Sequence, residues 1–395
     1  MPPIRRRQLF PLVAALALLV CAPAPAAPRI LNVGASESST LIPDLAVAKA
    51  RMDLAVLAGL NEIEVRVSWS RGLTAPTAED LLALQMAAGA AQLDGVRLVV
   101  AVDTGGNRNT PVTAVDRSAY SRYVVSIAQA LPYVKDFIIG NEPNLNRFWM
   151  PQFDRRGRDV AAAAYEALLA KTYDALKAVS SDINVIGGAV SPRGADRPGA
   201  ARATHSPTTF LRDIGFYFRK SRRQKPIMNT LAIHPYGESS RTPPTAVHPK
   251  STSISIADYP KLVKLLKETF RGTAQPGASL PILYAEYGVQ TEIPYAKLGM
   301  YSNLGIATAV DAVPEPVQAA YYTRAIKLAF CQPTVAGLLI FHVSDESDLD
   351  RWQSGLYYSD DTPKSSLPLV KVAAQAAESG AMTCPRPPGR KKARR

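Results

Sequence analysis

The sequence predicts an α/β fold in which eight parallel strands and eight helices close into one (β/α)8 barrel. Two observations lead to this prediction. Short apolar runs alternate with longer amphipathic stretches along the chain, and eight such runs can be counted. This alternation is typical of parallel β-α-β units, and eight units match a closed barrel.

The predicted strands cover residues 30–33, 63–67, 97–102, 137–139, 184–187, 230–233, 281–285 and 337–341. The predicted helices cover residues 43–58, 78–93, 117–130, 160–179, 208–222, 256–270, 314–330 and 365–377. A doubly wound open sheet is the alternative, because it can contain a similar number of strands. No Gly-x-Gly-x-x-Gly follows the first strand, so the dinucleotide-binding version of that sheet would lack its phosphate cradle.

The composition indicates a chain that folds around a large core. With 395 residues, 47% hydrophobic and 20% charged, disorder of the whole chain is excluded. We expect one folded domain at residues 27–385 and no second domain. Residues 191–206 and 238–255 are predicted to be long loops that follow strands, where barrels place their binding loops.

The first 26 residues have the pattern of a secretory signal peptide. Arg5, Arg6 and Arg7 precede an apolar stretch over residues 9–20, and small residues and prolines then lead to Ala26, where cleavage is expected. An uncleaved membrane anchor is the alternative, but the apolar run is shorter than the ~20 residues that a spanning helix requires. The expected location is therefore secreted or extracytoplasmic.

Positive charge is concentrated at the two ends of the chain. The formal net charge is +13, and without the three arginines of the signal peptide and the six basic residues of the tail at 386–395 it falls to +4. No basic stripe remains on the folded part, so no nucleic-acid partner is expected. The Pro-rich basic tail is predicted to be disordered, and it either contacts anionic polymers of the cell envelope or only keeps the protein soluble.

Two cysteines remain once the signal peptide, with Cys21, is removed. Cys331 and Cys384 form one even pair in an exported chain, which favours a disulfide. If joined, they close a loop of about 53 residues and stabilise the fold by roughly 3–4 kcal/mol. Two separate buried thiols are the alternative.

Polar and aromatic residues cluster at the carboxyl ends of the predicted strands, whereas the strand interiors are predicted to be apolar. These ends converge on one rim when a barrel closes. Two of the residues are glutamates, Glu142 after the fourth strand and Glu286 at the seventh. The others are Arg66, Ser68, Trp69, Asp103, Asn141, His234, Tyr236, Tyr287 and His342.

Two carboxyl groups across one pocket are what the cleavage of a glycosidic bond requires. One carboxylic acid protonates the leaving oxygen, and one carboxylate attacks or supports the anomeric carbon from the other side. Rigid strand ends hold such groups better than loop middles do, because catalytic geometry fails with displacements of about an ångström. The alternative is that the two acids cap helices or form buried ion pairs.

Four motifs give the chain a family resemblance: FIIGNEPN at residues 137–144, PILYAEYGVQ at 281–290, His234-Pro235-Tyr236, and Gly355-Leu356-Tyr357. The chain resembles the clan A glycoside hydrolases, the retaining TIM-barrel group that includes the family-five cellulases and mannanases and the family-thirty-nine enzymes. In that clan an Asn-Glu pair ends the fourth strand and a glutamate ends the seventh.

The resemblance implies a role for five residues. Glu142 is expected to be the acid/base and Glu286 the nucleophile, with the two carboxyl groups about 5–5.5 Å apart. Asn141 is expected to bond the sugar 2-hydroxyl. Arg66 and Tyr236 are expected to hold the carboxylate of the nucleophile; a structural ion pair is the alternative for Arg66, and packing at the rim is the alternative for Tyr236.

The remaining candidate site residues follow the pattern of the clan less closely. Many clan members place a tryptophan at the end of the eighth strand, whereas this chain has Phe341 followed by His342. Trp69 and Trp352, and with them Trp149, are candidates to stack on sugar faces, with core packing as the alternative for each. His234 is predicted to shape the site beside the catalytic pair and, with His342, to contribute to substrate binding; a core histidine is the alternative for His234.

No metal and no cofactor is expected. The acidic run at residues 345–350 lacks the spacing of a calcium-binding loop and is predicted to be a solvated loop. A bound calcium ion or a basic substituent on a sugar is the alternative.

The expected function is that of an exported, monomeric, retaining glycosidase that acts on a β-linked polysaccharide or oligosaccharide. A non-catalytic glycan-binding barrel protein of the cell envelope is the alternative from a different functional class. A serine or metal hydrolase is excluded, since the sequence contains no Gly-x-Ser-x-Gly and no His-rich metal-binding spacing.

Overall fold

The computed structural model describes residues 29–305 and 311–385, and it contains eight parallel strands. They are β1 Asn32–Ser36, β2 Glu62–Ser68, β3 Arg97–Asp103, β4 Asp136–Ile139, β5 Asn184–Val190, β6 Thr230–Ile233, β7 Ile282–Tyr287 and β8 Val335–Phe341. Each strand pairs with its neighbours in chain order, and β8 pairs with β1 to complete a closed barrel.

One α-helix follows each strand and packs outside the barrel. They are α1 Leu45–Leu57, α2 Ala78–Asp94, α3 Ala114–Ala130, α4 Ala161–Val179, α5 Pro207–Ser221, α6 Tyr259–Thr269, α7 Glu315–Phe330 and α8 Leu367–Glu378. The prediction of a single-domain TIM barrel is confirmed. None of these helices is both long and apolar enough to cross a bilayer. The predicted signal peptide at 1–26 and basic tail at 386–395 lie outside the described residues.

The observed strands differ most from the predicted ones at β1 and β5, where small residues obscure the apolar pattern. A side chain at Gly34 of β1 would place its Cβ 1.9 Å from the Glu62 carbonyl oxygen, so only glycine fits between β1 and β2. In β5, Gly188 has a φ of 97° and Ala189 a φ of 46°. The strand continues through this irregularity to Val190, three residues beyond the prediction.

Several helices begin at side chains that cap their backbone. Thr77, Thr113 and Ser206 each accept a hydrogen bond from the backbone N–H three residues further on. Such caps satisfy donors that the first helical turn leaves free, and each stabilises a helix by about 0.5–2 kcal/mol. Polar residues directly before the amphipathic stretches therefore fix where the helices start.

The interior of the barrel contains one cluster of buried apolar residues: Val99, Ala101, Ile138, Ile186, Ala189, Ala232, Leu283, Ala285 and Leu339. Strand β2 departs from this pattern. Its Ile63, Val65 and Val67 belong to the outer core between strands and helices, while the alternating Glu64 and Arg66 face the other way, into the barrel. The prediction of apolar strand interiors is therefore wrong for β2.

A buried ion pair ties together the loops after β7 and β8. Lys364 Nζ lies 2.7 Å from Asp345 Oδ1, both side chains are fully buried, and the same ammonium donates to Thr291 Oγ1 at 2.7 Å. Removing one partner from such a pair typically costs about 3–5 kcal/mol, because the other charge stays buried. The pair fixes loops that reach the carboxyl ends of the strands.

Cys331, directly after α7, and Cys384, beyond α8, are joined by a disulfide. The predicted pairing is confirmed. The disulfide connects the end of the described chain to the body of the barrel, and the two cysteines are 53 positions apart, with β8 and α8 between them.

Removal of this disulfide is expected to destabilise the protein. The paired variant Cys331→Ser and Cys384→Ser should lose roughly 3–4 kcal/mol of the free energy of unfolding, since the unfolded chain regains the entropy of an open loop. Urea unfolding without reductant measures the change, and wild-type protein with the disulfide reduced should match the variant. Equal unfolding midpoints for oxidised wild type and variant would contradict the expectation.

Candidate active site

A cleft of about 550 Å³ lies at the carboxyl ends of the strands. Six of the nine predicted site residues line it: Arg66, Asn141, Glu142, Tyr236, Glu286 and Trp352. The structure therefore brings the two predicted catalytic glutamates into one cavity. The other three, Trp69, His234 and His342, lie outside its lining.

Glu142 lies in an unusual backbone turn directly after β4. Its φ is 38°, in the left-handed region that residues with a side chain rarely adopt, and its N–H donates to the Ala189 carbonyl oxygen at 2.9 Å. The buried Asn144 holds the turn, because its amide donates to the His205 carbonyl and accepts from the Ser191 N–H, both at 2.9 Å. A strained conformation with such support is typical of functional sites.

Glu286 belongs to β7 itself and receives hydrogen bonds from two sides. Arg66 Nη2 donates to its Oε1 at 2.6 Å, and the Tyr236 hydroxyl donates to its Oε2 at 3.0 Å. Burial alone would raise the pKa of Glu286. The positive charges of His234 and Arg66 and the two hydrogen bonds outweigh burial, so the pKa is lowered and the carboxylate form is favoured.

His234 lies beneath both glutamates. Its Nδ1 is 3.1 Å from Glu142 Oε1 and 3.3 Å from Glu286 Oε2, and the ring is fully buried. Burial works against the charged ring, but the two carboxylates outweigh it and raise the pKa of His234. The histidine thus lies beside the two predicted catalytic glutamates, as expected, and outside the lining of the open cleft.

Arg66 is itself held by a carboxylate that sequence reasoning missed. Its Nη2 also lies 2.9 Å from Oε1 of Glu64, whose side chain is fully buried. Glu64 precedes Arg66 by two positions in β2, so the two residues share one face of the strand. This spacing of two residues could have predicted the Glu64–Arg66 pair, but the strand interior was expected to be apolar.

Asn141 offers a polar atom to the cleft. The residue is buried, and its Oδ1 has no hydrogen-bond partner among the described residues. A buried acceptor without a partner costs free energy, which a ligand that donates a hydrogen bond can recover. The side chain is therefore well placed to recognise a hydroxyl group.

The tryptophans differ in their access to the cleft. Trp69 is fully buried, its Nε1 donates to the Leu73 carbonyl oxygen at 2.8 Å, and its ring packs edge-on against Tyr120. The prediction that Trp69 stacks on a sugar is wrong, because its apolar ring completes the core behind β2. Trp352 is half-buried and lines the cleft, where its ring centroid lies 5.3 Å from that of Tyr236.

His342 lies behind the cleft wall. Its Nδ1 donates to the Ser36 carbonyl oxygen at 2.9 Å, its Nε2 lies 3.7 Å from Glu346 Oε2, and its side chain is 15% exposed. Phe341, one residue earlier, lines the cleft instead. The prediction that His342 binds substrate directly is therefore wrong, because the strand end turns the ring toward β1.

The acidic run at 345–350 is divided between different environments. Asp345 is buried against Lys364, Asp348 accepts a hydrogen bond from Asn303, and only Glu346 and Asp350 line the cleft. Within the two described ranges, no group of three or more His, Cys, Asp or Glu side chains is arranged to hold a metal ion. The prediction of a wholly solvated loop is wrong for Asp345.

The sequence matches no protein-family model and no curated relative. Solved structures do show similarity. A family 39 glycoside hydrolase from the gut symbiont Bacteroides cellulosilyticus has a TM-score of 0.56 and 20% identity, covering 89% of this chain and 64% of that chain. A GH5_18 protein from Streptomyces cattleya, in complex with GlcNAc, has a TM-score of 0.59 and 17% identity, covering 91% and 83%.

An exo-beta-1,4-mannosidase from Opitutaceae bacterium strain TAV5 has a TM-score of 0.56 and 16% identity, covering 91% of this chain and 62% of that chain. The chain therefore spans less than two thirds of the family 39 protein and of the mannosidase. These neighbours are glycoside hydrolases, and at such low identities the likeness shows a shared fold. The predicted resemblance to families 5 and 39 is confirmed at that level.

Proposed function

We propose that the protein is a retaining glycoside hydrolase that cleaves β-glycosidic bonds, with Glu142 as acid/base and Glu286 as nucleophile. The observation that carries the proposal is the meeting of two carboxyl groups at one buried imidazole, at the mouth of a barrel. The two groups have different environments, because Arg66 and Tyr236 donate hydrogen bonds to Glu286 and not to Glu142. Environments that separate two carboxyl groups in this way are typical of an acid and a nucleophile.

The separation of the carboxyl groups supports double displacement. Since His234 Nδ1 lies 3.1 Å from Glu142 Oε1 and 3.3 Å from Glu286 Oε2, these oxygens are at most about 6.4 Å apart. Retaining enzymes place their carboxyl groups about 5–5.5 Å apart, whereas inverting enzymes need about 6.5–9.5 Å to admit a water molecule. The upper limit for this pair of oxygens lies below the inverting range and is compatible with the retaining geometry.

In the first step, Glu142 donates its proton to the glycosidic oxygen while a Glu286 oxygen attacks the anomeric carbon. The bond to the leaving group breaks, and a covalent glycosyl-enzyme forms. Arg66 and Tyr236 fix the orientation of the attacking carboxylate. Asn141 supplies a polar contact for a sugar hydroxyl, whose interaction can strengthen in the transition state.

In the second step, Glu142 takes a proton from water, the hydroxide attacks the anomeric carbon, and Glu286 leaves as a carboxylate. Negative charge thus moves from Glu286 to Glu142 when the intermediate forms and returns when it breaks down. His234 faces an oxygen of each group at 3.1–3.3 Å. Its positive charge therefore stabilises whichever glutamate is ionised.

We also propose that the chain is exported through the signal peptide at 1–26 and contacts anionic envelope polymers through the tail at 386–395. The disulfide supports an oxidising compartment. Expression in a bacterial host followed by fractionation tests both parts. The mature protein should begin at Ala27, and deletion of the tail should release it from the envelope fraction; an intact N-terminus or unchanged retention would contradict the respective part.

Replacement of the glutamates is expected to remove activity in two distinguishable ways. With aryl β-glycosides of poor leaving groups, Glu142→Gln should lose about 10²–10⁴-fold in kcat/KM, because protonation of the leaving oxygen is lost. With 2,4-dinitrophenyl glycosides, which need no protonation, Glu142→Gln should retain most of kcat/KM. Glu286→Gln should be inactive toward both kinds of substrate.

The control is Glu268→Gln, which changes an exposed glutamate on α6 and should behave as wild type. Incubation with 2-deoxy-2-fluoro glycosides should add the mass of one sugar to the peptide that contains Glu286. Full activity of either glutamine variant would refute the assignment. Sugar binding without hydrolysis or trapping would favour the non-catalytic glycan-binding alternative.

The acid limb of the pH profile is expected to report Glu286. Because its pKa is lowered, the nucleophile stays ionised to lower pH than an ordinary glutamate, whose pKa is about 4.3, and kcat/KM falls only below that value. Arg66→Met removes a positive charge and a hydrogen bond, so the limb should move to higher pH; Tyr236→Phe should move it less. An acid limb that stays in place in Arg66→Met would contradict this expectation.

A further inference from the structure

The loop after β8 brings one aromatic ring to the cleft. Trp352 lies ten residues beyond His342, and its ring centroid is 5.3 Å from Tyr236 and 5.5 Å from Phe341. All three rings line the cleft or contact its wall, and Tyr236 in turn donates to Glu286. An aromatic face beside the nucleophile is suited to the apolar face of a pyranose ring.

The loop that carries Trp352 is closed on itself by Glu346. The Glu346 N–H donates to the Trp352 carbonyl oxygen at 3.1 Å, and the Trp352 N–H donates to Glu346 Oε2 at 2.9 Å. That same carboxylate oxygen is 3.7 Å from His342 Nε2. On its other side, the imidazole of His342 donates a hydrogen bond from Nδ1 to the carbonyl oxygen of Ser36, at the end of β1. The Glu346 carboxylate thus lies between the Trp352 backbone and the His342 ring. The next residue, Gln353, is held separately, because its carbonyl oxygen accepts from the Thr291 N–H at 3.0 Å and from Lys364 Nζ at 3.2 Å.

We propose that the His342–Glu346 pair positions Trp352 as the sugar-stacking platform of the cleft, next to Phe341, the aromatic residue that ends β8. The platform role rests on the proposed glycosidase function, whereas the positioning role stands on the contacts alone. His342 and Glu346 act through Trp352 and are positioning residues. The ligand class is a pyranoside that presents an apolar face to the aromatic ring.

The charges around His342 give the positioning pair a pH dependence. Burial disfavours the charged ring, but Glu346, Glu37 and Glu286 face it and raise its pKa. The pair is therefore intact below the raised pKa, and it loses its positive partner as pH rises through that value. Trp352 should become more mobile on the alkaline side.

Tryptophan fluorescence reports this positioning directly. The chain contains three tryptophans, and Trp69 and Trp149 are 0% and 1% exposed, so acrylamide reaches Trp352 first. Glu346→Gln and His342→Gln should each raise the acrylamide quenching constant by about twofold, because fewer contacts restrain the loop. In the double variant the effects should be less than additive, as expected for residues that act as one unit.

Two control variants show whether the quenching comes from Trp352. Trp352→Phe should remove most of the quenchable fluorescence, and Glu292→Gln, an exposed glutamate in the loop after β7, should match wild type. In wild type the quenching constant should rise with pH, and Glu346→Gln should flatten that rise. Wild-type quenching and an unchanged pH response in both Glu346→Gln and His342→Gln would overturn the positioning role.

Sugars test the platform separately. 4-Nitrophenyl β-D-gluco-, β-D-manno- and β-D-galactopyranoside are assayed for hydrolysis, and cellopentaose and mannopentaose for protection of Trp352 from acrylamide. Trp352→Ala should raise KM about tenfold with kcat within about threefold, and Trp352→Phe should restore most of the loss. Glu346→Gln should move KM in the same direction.

The two proposals fail differently. Protection of Trp352 without hydrolysis would retain the platform and refute the glycosidase. Hydrolysis that depends on Glu142 and Glu286, but with neither protection nor a change of KM in Trp352→Ala, would overturn the platform and leave the glycosidase standing. Absence of both protection and hydrolysis across all five sugars would refute both.

Discussion

The site depends on a buried network of charges at the centre of the barrel mouth. Arg66 lies between Glu64 and Glu286, and His234 lies between Glu286 and Glu142. A carboxylate alone at such depth would be strongly destabilised and would take up a proton. Each charge is tolerated because a partner of opposite sign lies within about 3 Å. Hydrogen bonds between the partners offset the loss of hydration as well.

The members of this network come from different strands. Glu64 and Arg66 belong to β2, Glu286 to β7, and Glu142 and His234 directly follow β4 and β6. Glu64 and Arg66 share β2, but the Arg66–Glu286 pair and the two contacts of His234 join residues from different strands, so they form only when those strands meet in the sheet. Formation of the barrel therefore also sets the ionisation of the proposed nucleophile. The lowered pKa of Glu286 is therefore a property of the closed barrel more than of the local sequence.

Much of this arrangement was accessible from the sequence, for identifiable reasons. The period of apolar runs predicts eight units, and Glu142 and Glu286 stand out because each is a carboxylate at the end of an apolar run, where a barrel collects its functional residues. The direction in which individual side chains point was not predicted correctly. A residue that follows a strand can face the cleft, as Tyr236 does, or pack behind it, as Trp69 does, and one turn of the backbone decides between them. Sequence spacing carries little information about that turn.

Nothing in the sequence indicated the two residues with positive φ at the site. Glu142 and Ala189 both have positive φ and are joined by a hydrogen bond, although neither is a residue type that signals this conformation. The Asn144 amide stabilises the turn at Glu142 through hydrogen bonds to the neighbouring loop, and no local sequence pattern predicts these bonds. Strain of this kind persists only where surrounding contacts overdetermine the chain, so it becomes visible once those contacts are known.

The proposed catalytic groups and the proposed sugar-stacking ring are placed on different parts of the molecule. The glutamates, Arg66 and His234 lie on strands or close to strand ends, whereas Trp352 reaches the cleft on the loop after β8. A substitution in the network alters the environment of the proposed nucleophile, Glu286, whereas a substitution of Trp352 leaves the contacts of Glu286 with Arg66, Tyr236 and His234 in place. An aromatic surface carried by a loop can therefore vary without a change in the strands, and loop variation of this kind lets one barrel fold support many functions.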